Sequence, residues 1–165
     1  MERIYLDHAA TTPMHPRVIR TISTAMEEQF GNPSSIHAFG RKARQILDET
    51  RQRIANSIGA KPGEIIFTSG GTEADNLAIL GYAEANKDRG SHIISTAIEH
   101  HAVLNSIKEL ERRGFKVSLL PVNQEGRISL DDLQEALSED TILVSIMFGN
   151  NEAGTIQPIR EIGEL

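Results

Sequence analysis

Cysteine is absent from all 165 residues, which excludes disulfides, thiolate zinc sites and a cysteine nucleophile on this chain. Tryptophan is missing too. No apolar run approaches the ~20 residues that span a bilayer. The opening Met1-Glu2-Arg3-Ile4 has neither the n-region nor the h-region of a signal peptide, so the expected location is the cytoplasm. Positive charge is scarce: the formal net charge is −6, which argues against direct nucleic-acid binding. The densest basic pairs, Arg41-Lys42 and Arg112-Arg113, read as solvated helix faces. What is present, 39% hydrophobic and 24% charged residues, is the composition of a globular protein with the length of one ordinary domain.

Two grammars follow each other along the chain. Val18, Ile22, Ala25 and Met26 recur at helical spacing and predict an amphipathic helix over 16–29. Gly31-Asn32-Pro33 ends it. Ser34 is placed to cap a second helix with the stripe Ile36, Phe39, Ala43, Ile46, Leu47, Ile54 and Ile58, stopped by Gly59 and Pro62. From Glu64 strands and helices alternate. Ile65-Ile66-Phe67 reads as a strand, then 72–86 as a helix with Thr72 and Asp75 spaced as a capping box. Ile93-Ile94-Ser95 is a second strand, 101–113 a helix, and Val117-Ser118-Leu119-Leu120 a third strand. The helix 129–137 has a Ser129/Asp132 cap, and Ile142 to Met147 makes a fourth strand. Such alternation implies an α/β fold, a mostly parallel sheet flanked by helices. The expected division is a helical segment over 1–60 and an incomplete α/β domain over 61–165. Glu161 to Leu165 reads as a helix that stops after about one turn, and the chain is expected to be truncated.

In an open parallel sheet, ligands bind beyond the carboxyl ends of the strands. Three polar clusters follow strands here: Thr68-Ser69-Gly70-Gly71-Thr72-Glu73, Ala97-Ile98-Glu99-His100-His101, and Phe148-Gly149-Asn150-Asn151-Glu152. The two glycines let backbone approach a ligand while the next helix aims free N–H groups at it, which suits a phosphate, with the Thr72 hydroxyl as a further donor. A Gly-Gly turn before a capped helix is also common without any ligand. It is neither a Walker A loop nor a dinucleotide fingerprint. His100 has the chemistry to stack on a planar group and move protons near neutral pH, or is simply a histidine at a helix start. The paired asparagines are amide donors to a ligand, or turn formers. His8, His15, His37 and His92 fit no metal-binding spacing, so no metal is expected.

Together these stretches resemble the NifS/IscS-type (group I) cysteine desulfurases of the class V aminotransferases. The matching segments are Tyr5-Leu6-Asp7-His8-Ala9-Ala10-Thr11-Thr12-Pro13, Phe30-Gly31-Asn32-Pro33-Ser34-Ser35, Phe67 through Ala78, Glu99-His100-His101-Ala102-Val103 and Asn150-Asn151-Glu152-Ala153-Gly154. They run in family order over essentially the whole chain. The resemblance implies the large domain of the PLP-dependent transferase fold type I, with pyridoxal 5′-phosphate (PLP) as cofactor. Gly71 and Thr72 would hold its phosphate, His100 would stack on its ring as the catalytic proton carrier, and Asn151 would bond its phenolic oxygen. The implied reaction takes sulfur from L-cysteine, leaving L-alanine and a persulfide. The implied partners are sulfur acceptors such as an iron–sulfur scaffold or a tRNA thiolase, and a second copy in the complete protein. Phe148-Gly149 departs from the more usual residues there.

Family members go on to an aspartate for the pyridine nitrogen, a Ser-Gly-His-Lys segment whose lysine binds the cofactor covalently, a persulfide cysteine and an arginine for the substrate carboxylate. None of these matches here. Lys42, Lys61, Lys87, Lys108 and Lys116 follow no Ser-Gly-His, and none has a visible reason to lose its proton. The chain by itself is therefore expected to be inactive, and Ile65-Ile66-Phe67 to be an unpaired apolar strand. The competing expectations are a non-catalytic PLP- or partner-binding fragment, another class V enzyme, and an unrelated phosphate- or nucleotide-binding domain.

Overall fold

The computed structural model describes residues 3–165; the Met1-Glu2 start read above lies outside them. The chain gathers into two compact units that meet in sequence between Phe67 and Thr68.

The first unit carries two helices, α1 (Pro16–Glu28) and α2 (Ala38–Ile58). Proline opens α1, where its missing N–H costs nothing. The predicted Ser34 cap is not used: Ser34 donates its N–H to Asn32 Oδ1 at 2.9 Å, and α2 starts later. His37 caps it, Nδ1 accepting the Gly40 N–H at 3.3 Å. A side chain at Gly40 would put Cβ 2.2 Å from the Ser35 carbonyl oxygen, so only glycine fits where this loop meets the helix. Gly59 ends α2 in the left-handed conformation, at φ 70°.

Ile65-Ile66-Phe67 is unpaired, as expected, but it is not a regular strand. It follows a 3-10 turn at Pro62–Glu64 but enters no ladder, and Ile66 is 67% exposed. Apolar composition makes a segment extended, but a strand also needs a partner, and no described residue supplies one. The segment is tied down instead by Arg51, which donates to the Ile65 carbonyl at 3.3 Å and sits 4.9 Å from the Phe67 ring centre.

The second unit is α/β. Helix α3 (Gly71–Asn86) precedes β1 (His92–Thr96), α4 (His101–Arg112), β2 (Lys116–Leu120), α5 (Leu130–Ala136), β3 (Thr141–Val144) and α6 (Ile159–Glu164). The strands form one parallel sheet in the order β2-β1-β3. Every residue of central β1 is buried, as expected of a strand covered on both faces. Its side chains alternate between two cores. Ile93 packs with Ile79 and Ala83 of α3 and with Val103, Ile107 and Leu110 of α4. Ile94 packs with Leu120, Ile128 and Leu133 on the other face. Each such buried side chain contributes about 1.5–3 kcal/mol. Ser129 caps α5 as its spacing predicts, accepting the Asp132 N–H at 3.2 Å. The fourth predicted strand is shorter than expected, ending at Val144 rather than Met147, because the ladder with β1 stops there.

The amino ends of the three strands are locked together. The Asp140 carboxylate accepts the Ser91 N–H, the Ser91 hydroxyl and the Lys116 ammonium at 3.0, 3.1 and 3.2 Å. The Ser91 N–H, then Lys116, hold its pKa below the ordinary carboxylate value. His92, buried, bridges Thr141 of β3 and Ser118 of β2, at 2.8 Å on each ring nitrogen. Beside it the β1–β3 register slips by one residue, and Gly90 lies so close to β3 that a Cβ would come within 2.4 Å of the Asp140 oxygen. With the amino edge fixed, the opposite edge carries the polar clusters.

Candidate active site

Two of those clusters line one cleft. A cavity of about 420 Å³ opens beyond the carboxyl ends of β1 and β3, with Glu99, His100, Asn150 and Asn151 on its walls. That volume lies within the range of roughly 300–1,000 Å³ common for small-molecule sites. Gly71 and Thr72 do not line it; they stand exposed at the start of α3, on the helix that packs beside α4.

His100 is the N-cap of α4. Its Nδ1 accepts the Ala102 N–H at 3.1 Å. An Nδ1 used as acceptor leaves the proton of the neutral ring on Nε2, so this local bond sets both tautomer and ring direction. His101 follows as the first helical residue, its ring centre 6.3 Å away and tilted by 56°.

The 148–157 loop is a small hairpin. Gly149 and Ile156 form an antiparallel bridge, and the Asn150 N–H reaches the Thr155 carbonyl at 2.9 Å. Gln157, almost fully buried, braces it against the 126–128 turn, accepting from Ile128 N–H at 3.1 Å and donating to the Gly126 carbonyl at 2.6 Å. The paired asparagines divide their work. Asn150 is the turn former: Oδ1 accepts the Glu152 and Ala153 N–H groups at 2.9 and 2.7 Å, and Nδ2 donates to the Ile98 carbonyl at 3.1 Å. Asn151 is exposed on the cleft wall, and its amide takes no part in holding the turn.

Helix α3 starts differently from its sequence expectation. The Thr72/Asp75 capping box does not form, and the N-cap, Gly70, has no side chain to offer. Glu73 reaches back instead, accepting the Ser69 N–H at 2.7 Å and the Ser69 hydroxyl at 2.5 Å. This satisfies the turn before the helix but, among the described residues, leaves the first-turn N–H groups of α3 without a capping acceptor. Among the described residues, a Cβ built on Gly70 or Gly71 would meet nothing within 4 Å. The Ser69 hydroxyl, then the Ser69 N–H, hold the Glu73 pKa below 4.5. A carboxyl depressed by folding contributes order that is present above the ordinary value and is lost as pH falls through the folded one. Exchange of the Ser69 amide is therefore expected to quicken as pH drops below 4.5, relative to the intrinsic rate. Glu73→Gln should abolish that dependence; a pH-independent Ser69 amide in the parent chain would refute it.

Glu99 had no role assigned from sequence, and the structure gives it one. It is only 7% exposed, and its Oε1 accepts the Met147 N–H at 2.6 Å and the Thr96 hydroxyl at 3.3 Å. Burial pushes its pKa above the ordinary value, the bonds from Met147 and Thr96 oppose this, and the charge of Asp75 on α3 adds to the rise. The signal available in the sequence was a lone carboxylate at the tip of an otherwise uncharged strand, a group that needs partners if it is buried.

The family described as Aminotransferase class-V matches residues 4–165. The putative cysteine desulfurase IscS 1 of Bacillus subtilis (strain 168) is 61% identical over all 165 residues, which make up 44% of that relative. The cysteine desulfurase IscS of Dictyoglomus turgidum is 53% identical over 98% of this chain and 41% of its own length. Among solved structures, a NifS-like protein superposes with a TM-score of 0.94 at 41% identity, covering 99% of this chain and 45% of that one. A structure described as SspA in complex with cysteine gives 0.89 at 40% identity, covering 97% and 46%. The chain thus spans less than half the length of each of these relatives.

Proposed function

Because the chain belongs to the class V aminotransferase family, we propose that it is the N-terminal portion of a PLP-dependent cysteine desulfurase. The observation that carries this is the convergence of His100 and Asn151, from two different strand tips, on one cleft. The relatives named as cysteine desulfurases, and the related protein described in complex with cysteine, support L-cysteine as the substrate.

The residues present fit the cofactor. A dianionic phosphate needs N–H donors and close backbone approach, and the start of α3 has uncapped N–H groups with open space before Gly70 and Gly71. Gly71 and Thr72 would bind the phosphate through their N–H groups and the Thr72 hydroxyl, helped by the positive end of the α3 dipole. Asn151, free of turn duty, would donate its amide to the phenolic oxygen of the ring. His100, with its proton on Nε2, would lie against the ring and carry a proton to or from the substrate. When bound, PLP withdraws electrons from the substrate's α-carbon, the chemistry that lets a carbon–sulfur bond break. The protein's share here is binding, orientation and proton placement.

In this reading the full-length protein works in the cytoplasm as a homodimer. It passes sulfur from L-cysteine to an acceptor such as an iron–sulfur scaffold or a tRNA thiolase. Among the described residues no helix is long and apolar enough to cross a membrane. The test is product analysis: full-length protein loaded with PLP and given L-cysteine is expected to release alanine and transferable sulfur in equal amounts. Bound PLP with no alanine formed would overturn the desulfurase reading.

A further inference from the structure

The β1–β3 ladder ends at Val144, with a last backbone bond from the Ser145 N–H to the Ile94 carbonyl at 2.9 Å. Beyond it the two chain tips that carry His100 and Asn151 are no longer held by the sheet. Two bonds rejoin them. One is Asn150 Nδ2 to the Ile98 carbonyl at 3.1 Å; the other is the Met147 N–H to Glu99 Oε1 at 2.6 Å. The second is the shorter and is made to a carboxylate, which makes it the stronger. It also adjoins both along the chain: Glu99 precedes His100, and Met147 leads into the loop that carries Asn151.

We propose that Glu99 is a positioning residue whose buried carboxylate clamps the tip of β3 to the tip of β1 and thereby sets Asn151 opposite His100. Thr96, whose hydroxyl donates to the same oxygen, keeps the carboxylate aimed at Met147. A helix cap orients the ring of His100 from one side, and the Glu99 clamp fixes the distance to its partner from the other. The cofactor part of this inference rests on the reading given under Proposed function; the clamp itself does not.

The test compares three variants of the full-length protein by amide hydrogen exchange without PLP, and by PLP affinity and the visible circular dichroism of bound PLP. Glu99→Ala removes the acceptor. Glu99→Asp keeps the charge but shortens the reach by one methylene. Glu99→Gln keeps an acceptor oxygen at the same reach. Exchange at Met147 and across 150–154 is expected to rise roughly tenfold or more in Glu99→Ala and Glu99→Asp, where the bond is lost, and to rise clearly less, by about three- to fivefold, in Glu99→Gln, whose neutral oxygen keeps the reach but not the charge. PLP affinity should fall on the order of tenfold in the first two and recover in the third, with the dichroism band displaced only where the clamp is broken. Should Glu99→Ala fail to fold, the Asp and Gln pair decides alone. Unchanged exchange in Glu99→Asp, or a Glu99→Gln variant as defective as Glu99→Asp, would overturn the proposal. A parent protein that binds no PLP would instead sink the cofactor reading, with the exchange data still judging the clamp.

Discussion

Leu110→Ala is expected to cost about 2–5 kcal/mol of unfolding free energy, the lost transfer energy of the side chain plus the cavity it leaves. Leu110 has no solvent exposure and lies where α4, α3 and β1 meet, among Ile93, Ile107, Phe115 and Ile79. Neighbours on three elements leave little freedom to collapse into the gap, which favours the upper part of that range. Domains are stable by only about 5–15 kcal/mol, so a single truncation here removes a large fraction of the total. Urea unfolding measures it directly: the midpoint should fall while the slope is unchanged. Leu119→Ala, at a half-exposed site on edge strand β2, is the control and should cost far less. Equal losses at the two positions would mean that α3 and α4 do not share a core with β1.

Gly71→Val separates folding from ligand binding. A Cβ at Gly71 meets no atom within 4 Å, so the side chain has room. The first turn of a helix also accepts most residues, and the variant is expected to unfold within about 1 kcal/mol of the parent. The same free space is where phosphate oxygens would approach the α3 amides. In the full-length protein, PLP affinity is therefore expected to fall at least roughly tenfold, measured by titrating the apoprotein. Unaltered affinity would remove the α3 start from the cofactor site. A collapse in stability instead would show that the space is not free.

The elements most legible in sequence are those whose cause is local. Val103, Ile107 and Leu110 stand at helical spacing and make the buried face of α4; Ser129 caps α5 three residues before Asp132; Gly59 ends α2. The parallel sheet followed from alternation of strands and helices. What escaped depended on partners far along the chain or on choices between neighbours. Ile65-Ile66-Phe67 has strand composition and is expected to lack a partner, yet without one it is no regular strand at all, because a ladder is made by two strands and composition reports on one. At the start of α3, Thr72 and Asp75 have the right spacing, but the helix begins at Gly71 with Gly70 as its N-cap, which puts Thr72 inside the first turn, and Glu73 turns back to Ser69 instead. Ser34 lost the α2 cap to His37 because α2 starts only at Ala38, which makes His37 the residue just before its first turn.

The cleft was half legible. Position after a strand marked His100 and Asn151, but nothing in a linear pattern tells which of two adjacent asparagines turns the chain and which faces outward. The structure answers through Asn150, whose side chain bonds Ile98, the Met147 sulfur, Glu152 and Ala153 and has nothing left to offer. The partner of Glu99 was beyond reach for the same reason as the strand pairing: Met147 is remote in sequence and contributes a backbone N–H, which leaves no trace in residue identity.

The strand order β2-β1-β3 has a consequence for how the molecule assembles. β1 and β2 are separated by α4 alone, whereas β3 can meet β1 only after β2 and α5 have also been threaded. Closing the shorter loop sacrifices less chain entropy, by about 0.6 kcal/mol for each doubling of length, which favours pairing of β1 with β2 before β3 docks onto their edge. The hairpin bearing Asn151 follows β3, while His100 lies between β1 and β2 in the chain. One wall of the cleft is then built early and the other arrives last, which makes docking of the third strand the step that creates a binding surface.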